Sequence, residues 1–203
     1  MTLNAPHFQA KRPQRGETLL LATHNAGKAR EFLTLLAPHG FLIRTLADEN
    51  LPAPEETGTT FEANAELKAT HGRTATGHWT LADDSGLEVF TLKGAPGVDT
   101  AHYGGWEKLL SVLQTTPKEE RQARFVCVLA LQSPEGQTTF FTGFCEGVIT
   151  TDARGEKGFG YDPVFRPESQ ERTFAEMSAE EKHCFSHRGA ALRQFTAWLE
   201  QNA

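Results

Sequence analysis

The fold class is decided by the stretch TLLLATHNAGK, residues 18–28. Residues 18–22 form a short apolar run, which is typical of a buried strand. A small polar turn with one glycine follows, and the apolar side chains of residues 29–36 favour a helix. Because a strand, a glycine-containing turn and a helix commonly open an α/β domain, this stretch predicts that class of fold.

The rest of the chain extends this pattern. Further strands are predicted at residues 41–46, 79–82, 123–131 and 138–149, and further helices at 60–72, 106–113 and 178–198, the last broken near 186–189. Strand 79–82 runs into Asp83-Asp84-Ser85-Gly86 and continues by alternation at Leu87, Val89 and Leu92. A long mixed sheet with several helices indicates an α/β or α+β fold.

The composition is that of an ordinary globular protein. The chain has 203 residues and a formal net charge of −6, which suits one domain, or one domain of two lobes, and disfavours a nucleic-acid partner. No apolar run approaches the roughly 18 residues of a membrane span. The three cysteines are sparse, which favours reduced thiols in the cytoplasm. Polar residues 1–17 are predicted to form a flexible N-terminal tail, and residues 18–203 a single domain.

The turn after the first strand is suited to an anion. It exposes backbone N–H groups and the positive end of a helix dipole, and Lys28 adds a full positive charge. Its spacing differs from that of the Walker phosphate-binding loop. A capped helix with an exposed lysine is the alternative interpretation.

Two acidic segments are candidates for one cation site. Asp83 and Asp84 follow a predicted strand, and neighbours on an extended chain point to opposite faces. Adjacent carboxylates repel unless a cation lies near them, and a carboxylate here could bind Mg²⁺ or deprotonate water. An Asx turn that closes the strand is the alternative. The loop that carries Glu55 and Glu56 adds carboxylates, or is simply solvated.

A glycine-aromatic loop and a basic helix break complete the candidates. In GFGYDP, residues 158–163, two glycines let the backbone approach a flat ligand while Phe159 or Tyr161 stacks on it; a tight turn with core aromatics is the alternative. The hydrogen-bond donors near the helix break are Lys182, His187 and Arg188. They could bind a purine edge or a phosphate, and exposure on the surface is the alternative interpretation. Together these features describe a nucleotide–magnesium site.

The segments resemble, in their order, those of the inosine triphosphate pyrophosphatase family in its bacterial dITP/XTP form. The matching segments are LATHNAGK at 21–28, EETG at 55–58, residues 61–68, DDSGL at 83–87, GAPG at 94–97, FGYDP at 159–163 and SHRG at 186–189. They cover nearly all of the chain after residue 17.

The acidic net charge and the lack of a long apolar run predict no nucleic-acid partner and no membrane partner. The resemblance implies hydrolysis of ITP, dITP and XTP to the monophosphate and pyrophosphate, with Mg²⁺ as the cofactor. It implies a homodimer whose subunits have two lobes around a long central mixed sheet flanked by helices, with the active site in the cleft. It makes Asp84 the catalytic carboxylate, and Glu56 and Asp84 the metal ligands. The substrate-binding residues that it implies are Thr23, His24, Asn25, Ala26, Gly27, Lys28, Lys68, Ser85, Phe159, Gly160, Tyr161, Asp162, Lys182, His187 and Arg188.

Three features depart from the family pattern. His24 stands where a small residue is frequent, His102 replaces an arginine, and the stretch from Gly104 to Leu110 is several residues shorter. The last two bear on substrate-side contacts and on the dimer edge.

The working hypothesis is attack of water on the α-phosphorus, with Asp84 as base and with Lys28 and Lys68 offsetting phosphate charge. A site that donates to O6 of the purine would reject adenine, because a polar group left unpaired is costly. Guanine would have to be rejected at its 2-amino group. The alternatives are a pyrophosphatase for modified pyrimidine nucleotides and a nucleotide-binding regulator without turnover.

Overall fold

A mixed sheet forms the centre of the fold. The computed structural model describes residues 11–201, and its strands are Thr18–Leu21 (β1), Leu42–Thr45 (β2), Trp79–Val89 (β3), Gln122–Gln132 (β4), Thr138–Ile149 (β5) and Phe165–Pro167 (β6). Their order in the sheet is β2-β1-β3-β4-β5-β6. β1 is parallel to β2 and β3, whereas the pairs from β3 to β6 are antiparallel. The predicted α/β class with a long mixed sheet is confirmed.

The helices flank this sheet. Within residues 11–201 the α-helices are Ala26–Leu36 (α1), Phe61–Thr76 (α2), Gly105–Val112 (α3), Ala179–Phe185 (α4) and His187–Glu200 (α5). The predicted break in the last helical region falls at Ser186, whose extended backbone ends α4 and whose side chain accepts the Gly189 N–H to cap α5. None of the helices in the described part of the chain is long and apolar enough to span a membrane.

The Asp83-Asp84 pair lies inside β3, opposite Leu129 and Val128 of β4. The predicted continuation of the strand at Leu87 and Val89 is therefore confirmed, whereas the strand end placed before the pair and the Asx turn offered as an alternative are wrong. The strand continues because its two carboxylates point to opposite faces of the sheet, where each meets cations supplied by other elements. The strand ends at Val89, so Leu92 belongs to a short 3-10 helix and not to the strand.

The apolar core divides into two lobes. In the first lobe, α1 and α5 pack on one face of the sheet around Leu81 and Leu129, and α2 covers the other face around Val128. The second lobe forms around Phe125 and Phe165, near the far ends of β4 and β5. The candidate site lies in the cleft between the lobes, as the family resemblance implied.

The predicted N-terminal tail lies mostly outside the described residues, since residues 1–10 are not among them. Of the remainder, the Gly16 N–H donates to the Gly40 carbonyl at 2.9 Å, and Lys11 Nζ lies 2.6 Å from Glu135 Oε1 at the surface. The boundary and the flexibility of the tail remain predictions.

Candidate active site

A cleft of about 1020 Å³ collects the predicted site residues. Such a volume is at the upper end of the range usual for ligand sites. Every residue that the family resemblance placed in the site lines this cleft: Thr23, His24, Asn25, Ala26, Gly27, Lys28, Glu56, Lys68, Asp84, Ser85, Phe159, Gly160, Tyr161, Asp162, Lys182, His187 and Arg188. The cleft is therefore the candidate active site, and the contacts of its residues indicate the role that each can have.

The turn after β1 is a capped helix start. Asn25 Oδ1 accepts the Lys28 N–H at 3.0 Å, and Thr23 Oγ1 accepts the Asn25 N–H at 3.1 Å. Lys28 is not the exposed lysine of the alternative interpretation, because its Nζ lies 2.8 Å from Asp83 Oδ1 and its side chain is 16% exposed. His24 Nε2 lies 3.0 Å from the Leu51 carbonyl oxygen.

Asp84 and Glu56 face one point of the cleft from different elements. Lys68, on α2, places Nζ 2.8 Å from Asp84 Oδ1 and 3.2 Å from Glu56 Oε2. Asn64, one helical turn earlier, donates to Asp84 Oδ2 at 3.4 Å. The two acidic segments therefore meet, with an ammonium group between their carboxylates.

Burial governs the proton affinity of Asp84. Its removal from water raises the pKa of Asp84, and the charge of Asp83 adds to the rise, although Lys68 and Lys28 oppose it. Burial works to lower the pKa of Lys68, but the carboxylates of Asp84 and Asp83 outweigh it and raise that pKa. Asp84 is consequently a stronger base than an ordinary aspartate and is suited to accept a proton from water.

The carboxylates can also serve a cation. Among residues 11–201 there is no group of three or more His, Cys, Asp or Glu side chains arranged to hold a metal ion, so the protein itself offers the pair Asp84 and Glu56. Mg²⁺ commonly takes one or two carboxylates and completes its shell with water and substrate phosphates. The donor set therefore fits a magnesium ion that binds together with a triphosphate.

Asp83 performs a different task on the opposite face of β3. Its fully buried carboxylate contacts Lys28 at 2.8 Å and Arg188 Nη2 at 3.4 Å. Burial works to raise the pKa of Asp83, but the charges of Lys28 and Arg188 prevail and hold it well below its usual range. Asp83 thus neutralises two cations that line the cleft, and it joins α1 to α5.

Glu31 connects the remaining cations. Lys182 Nζ lies 2.9 Å from Glu31 Oε1 and 2.6 Å from Asp162 Oδ2. Arg188 binds the other oxygen of Glu31 through Nη1 and donates from Nη2 to Ser85 Oγ at 2.9 Å. Lys182 and Arg188 are 6% and 2% exposed, so the interpretation of this cluster as surface residues is wrong.

Phe159 and Tyr161 have separate environments. Phe159 lies half-buried at the cleft, with Lys182 Nζ 4.7 Å from its ring centroid. A Cβ on Gly27 would meet this ring at 2.8 Å, so the glycine lets the turn and the aromatic loop touch. Tyr161 is buried in the second lobe, and its hydroxyl donates to the Thr100 carbonyl at 3.1 Å. Tyr161 is therefore a core aromatic, whereas Phe159 offers a ring edge or face to a ligand.

His187 presents an unused polar atom to the cleft. Its ring stacks on Phe125 with centroids 4.6 Å apart. Burial first, and then the charges of Arg188 and Lys182, hold the pKa of His187 well below its usual range, so the ring is neutral at neutral pH. Its buried Nδ1 has no hydrogen-bond partner within the described residues. A buried polar atom of this kind calls for a ligand or water partner.

A short 3-10 helix at Gly97–Ala101 forms the rim of the second lobe. Thr100 Oγ1 accepts the Leu87 N–H at 2.8 Å and donates to the Gly97 carbonyl at 2.6 Å, which fixes this rim to β3. His102 follows the rim directly and lines the cleft. Within the shortened stretch, α3 begins at Gly105, which like Gly104 has a positive φ.

Gly86 is the position where the rim contacts β3 most closely. We expect Gly86→Ala to lower the free energy of unfolding by about 1–3 kcal/mol, because the added Cβ would overlap the Gly97 carbonyl and approach Thr100 Oγ1 to 2.6 Å. Urea denaturation measures this change, and Gly86→Val should cost more than Gly86→Ala. An alanine variant as stable as the wild type would contradict the close packing.

Several functional residues were missed from the sequence. They are Glu31, Asn64, Thr100 and Phe125. Spacing offered a signal for two of them: Glu31 lies three residues after Lys28 on α1, and Asn64 lies four before Lys68 on α2, so each shares a helix face with a predicted site residue.

The protein is an α/β domain whose cleft is lined by cationic side chains, by a capped helix start and by the carboxylates of Asp84 and Glu56. The model of the Ham1 family matches residues 19–198, and the chain belongs to that family.

Relatives and solved structures with similar sequences support the family assignment. A "dITP/XTP pyrophosphatase" of Thermus thermophilus is 50% identical over 186 residues, which cover 88% of this chain and 90% of the relative. A protein of the same name from Mesorhizobium japonicum is 44% identical over 202 residues, covering 89% and 92%. A HAM1 protein structure from Coxiella burnetii is 38% identical with a TM-score of 0.82, covering 90% and 98%. The predicted family resemblance is confirmed.

Proposed function

We propose that the protein hydrolyses noncanonical purine nucleoside triphosphates, namely ITP, dITP and XTP, to the monophosphate and pyrophosphate. The observation that carries this proposal is the meeting of Asp84 and Glu56 around Lys68, in one cleft with the capped turn at Asn25 and Lys28. Helix N-termini and cations bind phosphates, while the carboxylates of Asp84 and Glu56 suit a cation and a water molecule. The names of the relatives support the same activity.

Mg²⁺ is the proposed cofactor, and Asp84 and Glu56 are its proposed ligands. When bound, the ion neutralises phosphate charge and helps to orient the attacking water. In the structure Lys68 bridges these two carboxylates. If a cation bound to the carboxylates in its place, the ammonium group of Lys68 would become available to a phosphate oxygen.

In the proposed reaction Asp84 accepts a proton from water as the water oxygen attacks the α-phosphorus. The bond from the α-phosphorus to the bridging oxygen breaks, and pyrophosphate leaves with that oxygen. Lys28 and the N–H groups of the turn at residues 23–28 offset the charge on the leaving group. Ser85, held by Arg188 at 2.9 Å, borders Asp84 and is a proposed substrate contact.

The base would stack on Phe159 and meet the neutral His187 ring and the cations of Lys182 and Arg188. Donors at this end of the cleft favour a purine with oxygen at position 6 and disfavour the donor amino group of adenine. Asp162 is proposed to act through Lys182, which it contacts at 2.6 Å. Guanine carries the same O6, so its exclusion must depend on contacts to its 2-amino group.

The substrate profile tests this proposal. Pyrophosphate release is measured with Mg²⁺ for dITP, XTP, GTP, ATP, dUTP and dTTP at equal concentrations. We expect fast release from dITP and XTP and at least roughly tenfold slower release from GTP and ATP, the scale of one unpaired polar group. Preference for dUTP or dTTP would support a pyrimidine pyrophosphatase, and binding without release would support a regulator. Either result would overturn the proposal.

A homodimer and a cytoplasmic location complete the proposal. The exposed rings of Phe140 and Phe144 lie on β5, and an apolar surface of this kind is one that a dimer interface buries. The cytoplasmic location is supported by Cys127, Cys145 and Cys184, which are all free thiols. Analytical ultracentrifugation of the purified protein tests the dimer.

A further inference from the structure

The acidic loop, residues 51–58, carries the proposed metal ligand that is least firmly held. The Glu56 side chain is 47% exposed, whereas that of Asp84 is 6% exposed and lies on a central strand. The position of Glu56 relative to Asp84 therefore depends on what holds the loop.

Few hydrogen bonds hold the acidic loop. Its ends are fixed, because the Leu51 N–H donates to the Leu46 carbonyl at 2.9 Å and the Gly58 N–H donates to Asn64 Oδ1 at 2.7 Å. Pro52 and Pro54 have no N–H to donate. Between these ends, within the described residues, the backbone of the loop makes two hydrogen bonds, and both of them are to histidines.

The two histidines contact consecutive carbonyls of the loop from different elements. His24 Nε2, from the turn after β1, lies 3.0 Å from the Leu51 oxygen, and His71 Nε2, from α2, lies 3.0 Å from the Pro52 oxygen. A carbonyl oxygen can only accept, so each imidazole must carry its proton on Nε2 and donate it. The pair forms a clamp, defined here as His24 and His71, which ties the loop to the turn and to the helix of Lys68.

We propose that His24 and His71 are positioning residues that hold the acidic loop so that Glu56 shares a divalent cation with Asp84. The inference rests on the proposed function for its choice of cation, and it assigns a role to His71, which lies outside the cleft lining. It also gives a use to the departure at His24, where a small side chain could not reach the Leu51 carbonyl.

The test compares Mn²⁺ binding, followed by electron paramagnetic resonance of the free ion, with amide hydrogen exchange of the loop. We expect His71→Leu to weaken Mn²⁺ binding about two- to tenfold, the scale of one hydrogen bond, and to speed exchange at the hydrogen-bonded amides of Leu51 and Gly58 by a similar factor. His71→Gln keeps an N–H donor and should recover part of both effects. His78→Leu is the matched control, since within the described residues the His78 side chain makes no hydrogen bond, and both readouts should match the wild type.

A double-mutant cycle separates positioning from general loosening. If the clamp acts through Glu56, His71→Leu should weaken Mn²⁺ binding in the wild-type background and add nothing in the Glu56→Gln background. Equal weakening in both backgrounds, or faster loop exchange with unchanged Mn²⁺ affinity, would overturn the proposal. Neither readout uses nucleotide turnover, so the results can be interpreted even if the protein does not hydrolyse dITP. Conversely, a result that contradicts the clamp would not contradict the proposed hydrolysis.

Discussion

Replacing Asp84 with asparagine is expected to lower kcat for dITP by about 10²–10⁴-fold, the range that a general base contributes. Asparagine keeps the size of the side chain but neither accepts the proton from water nor gives the cation an anionic ligand. It also leaves Lys68 with Glu56 as its remaining carboxylate partner. Turnover is measured as pyrophosphate release at saturating dITP and Mg²⁺.

The control for this variant is Asp99→Asn. Asp99 lines the same cleft, and its carboxylate forms no ion pair or side-chain hydrogen bond with any described residue, so kcat should stay within a few-fold of wild type. The Asp84→Asn protein must show a cooperative unfolding transition. Near-normal turnover by folded Asp84→Asn would remove Asp84 from the role of base.

Replacing Asp83 with asparagine is expected to lower the free energy of unfolding by about 3–5 kcal/mol at neutral pH, because removing one partner of a buried ion pair leaves the other charge uncompensated. The charges left behind are those of Lys28 and Arg188, which Asp83 contacts at 2.8 and 3.4 Å. Urea denaturation measures the change. Glu88→Gln, which breaks the partly exposed pair with Arg124, is the control and should cost no more than about 1 kcal/mol.

The effect of Asp83 depends on pH with a definite sign. Its pKa in the folded protein is held well below its usual range, so its carboxylate stabilises the fold fully above the unfolded-state pKa of about 3.9. The contribution is lost as pH falls from there toward the folded-state pKa. The stability gap between wild type and Asp83→Asn should therefore narrow on acidification below about pH 4. A gap that is constant or widens in acid would show that Asp83 does not act through its charge.

Periodicity alone predicted most of the sheet. β4 spans Gln122–Gln132, close to the strand that alternation predicted at 123–131, and the predicted break in the last helical region falls at Ser186. These features are local, since each depends on residues a few positions apart. Local information was therefore sufficient for them.

β3 could not be predicted in the same way. Alternation indicated that the strand continues at Leu87 and Val89, but two adjacent carboxylates inside a buried strand are energetically costly, which kept an Asx turn open as an alternative. Their cost is offset by Lys28, Lys68 and Arg188, which come from three helices distant in sequence. The exception to local reasoning thus coincides with the site, where function requires buried charge.

The sequence predicted which residues line the candidate site, but not the ion pairs and hydrogen bonds that they form. The residues that the family resemblance implied all line the cleft. They could be predicted because the segments that carry them match the family in the same order along the chain. The different partners of Asp83 and Asp84 became apparent only from the tertiary contacts. The same holds for Glu31, which pairs with both Lys182 and Arg188. Side-chain pairing between remote segments has no periodic signature in a single sequence.

The most direct test of the central claim is the fate of solvent oxygen in a single turnover of dITP in H₂¹⁸O with Mg²⁺, followed by ³¹P NMR and mass spectrometry. Attack on the α-phosphorus predicts one ¹⁸O atom in the phosphate of dIMP and unlabelled pyrophosphate. Label in pyrophosphate would mean attack on the β-phosphorus, and release of orthophosphate with dIDP would mean attack on the γ-phosphorus. Either result would contradict the proposed reaction.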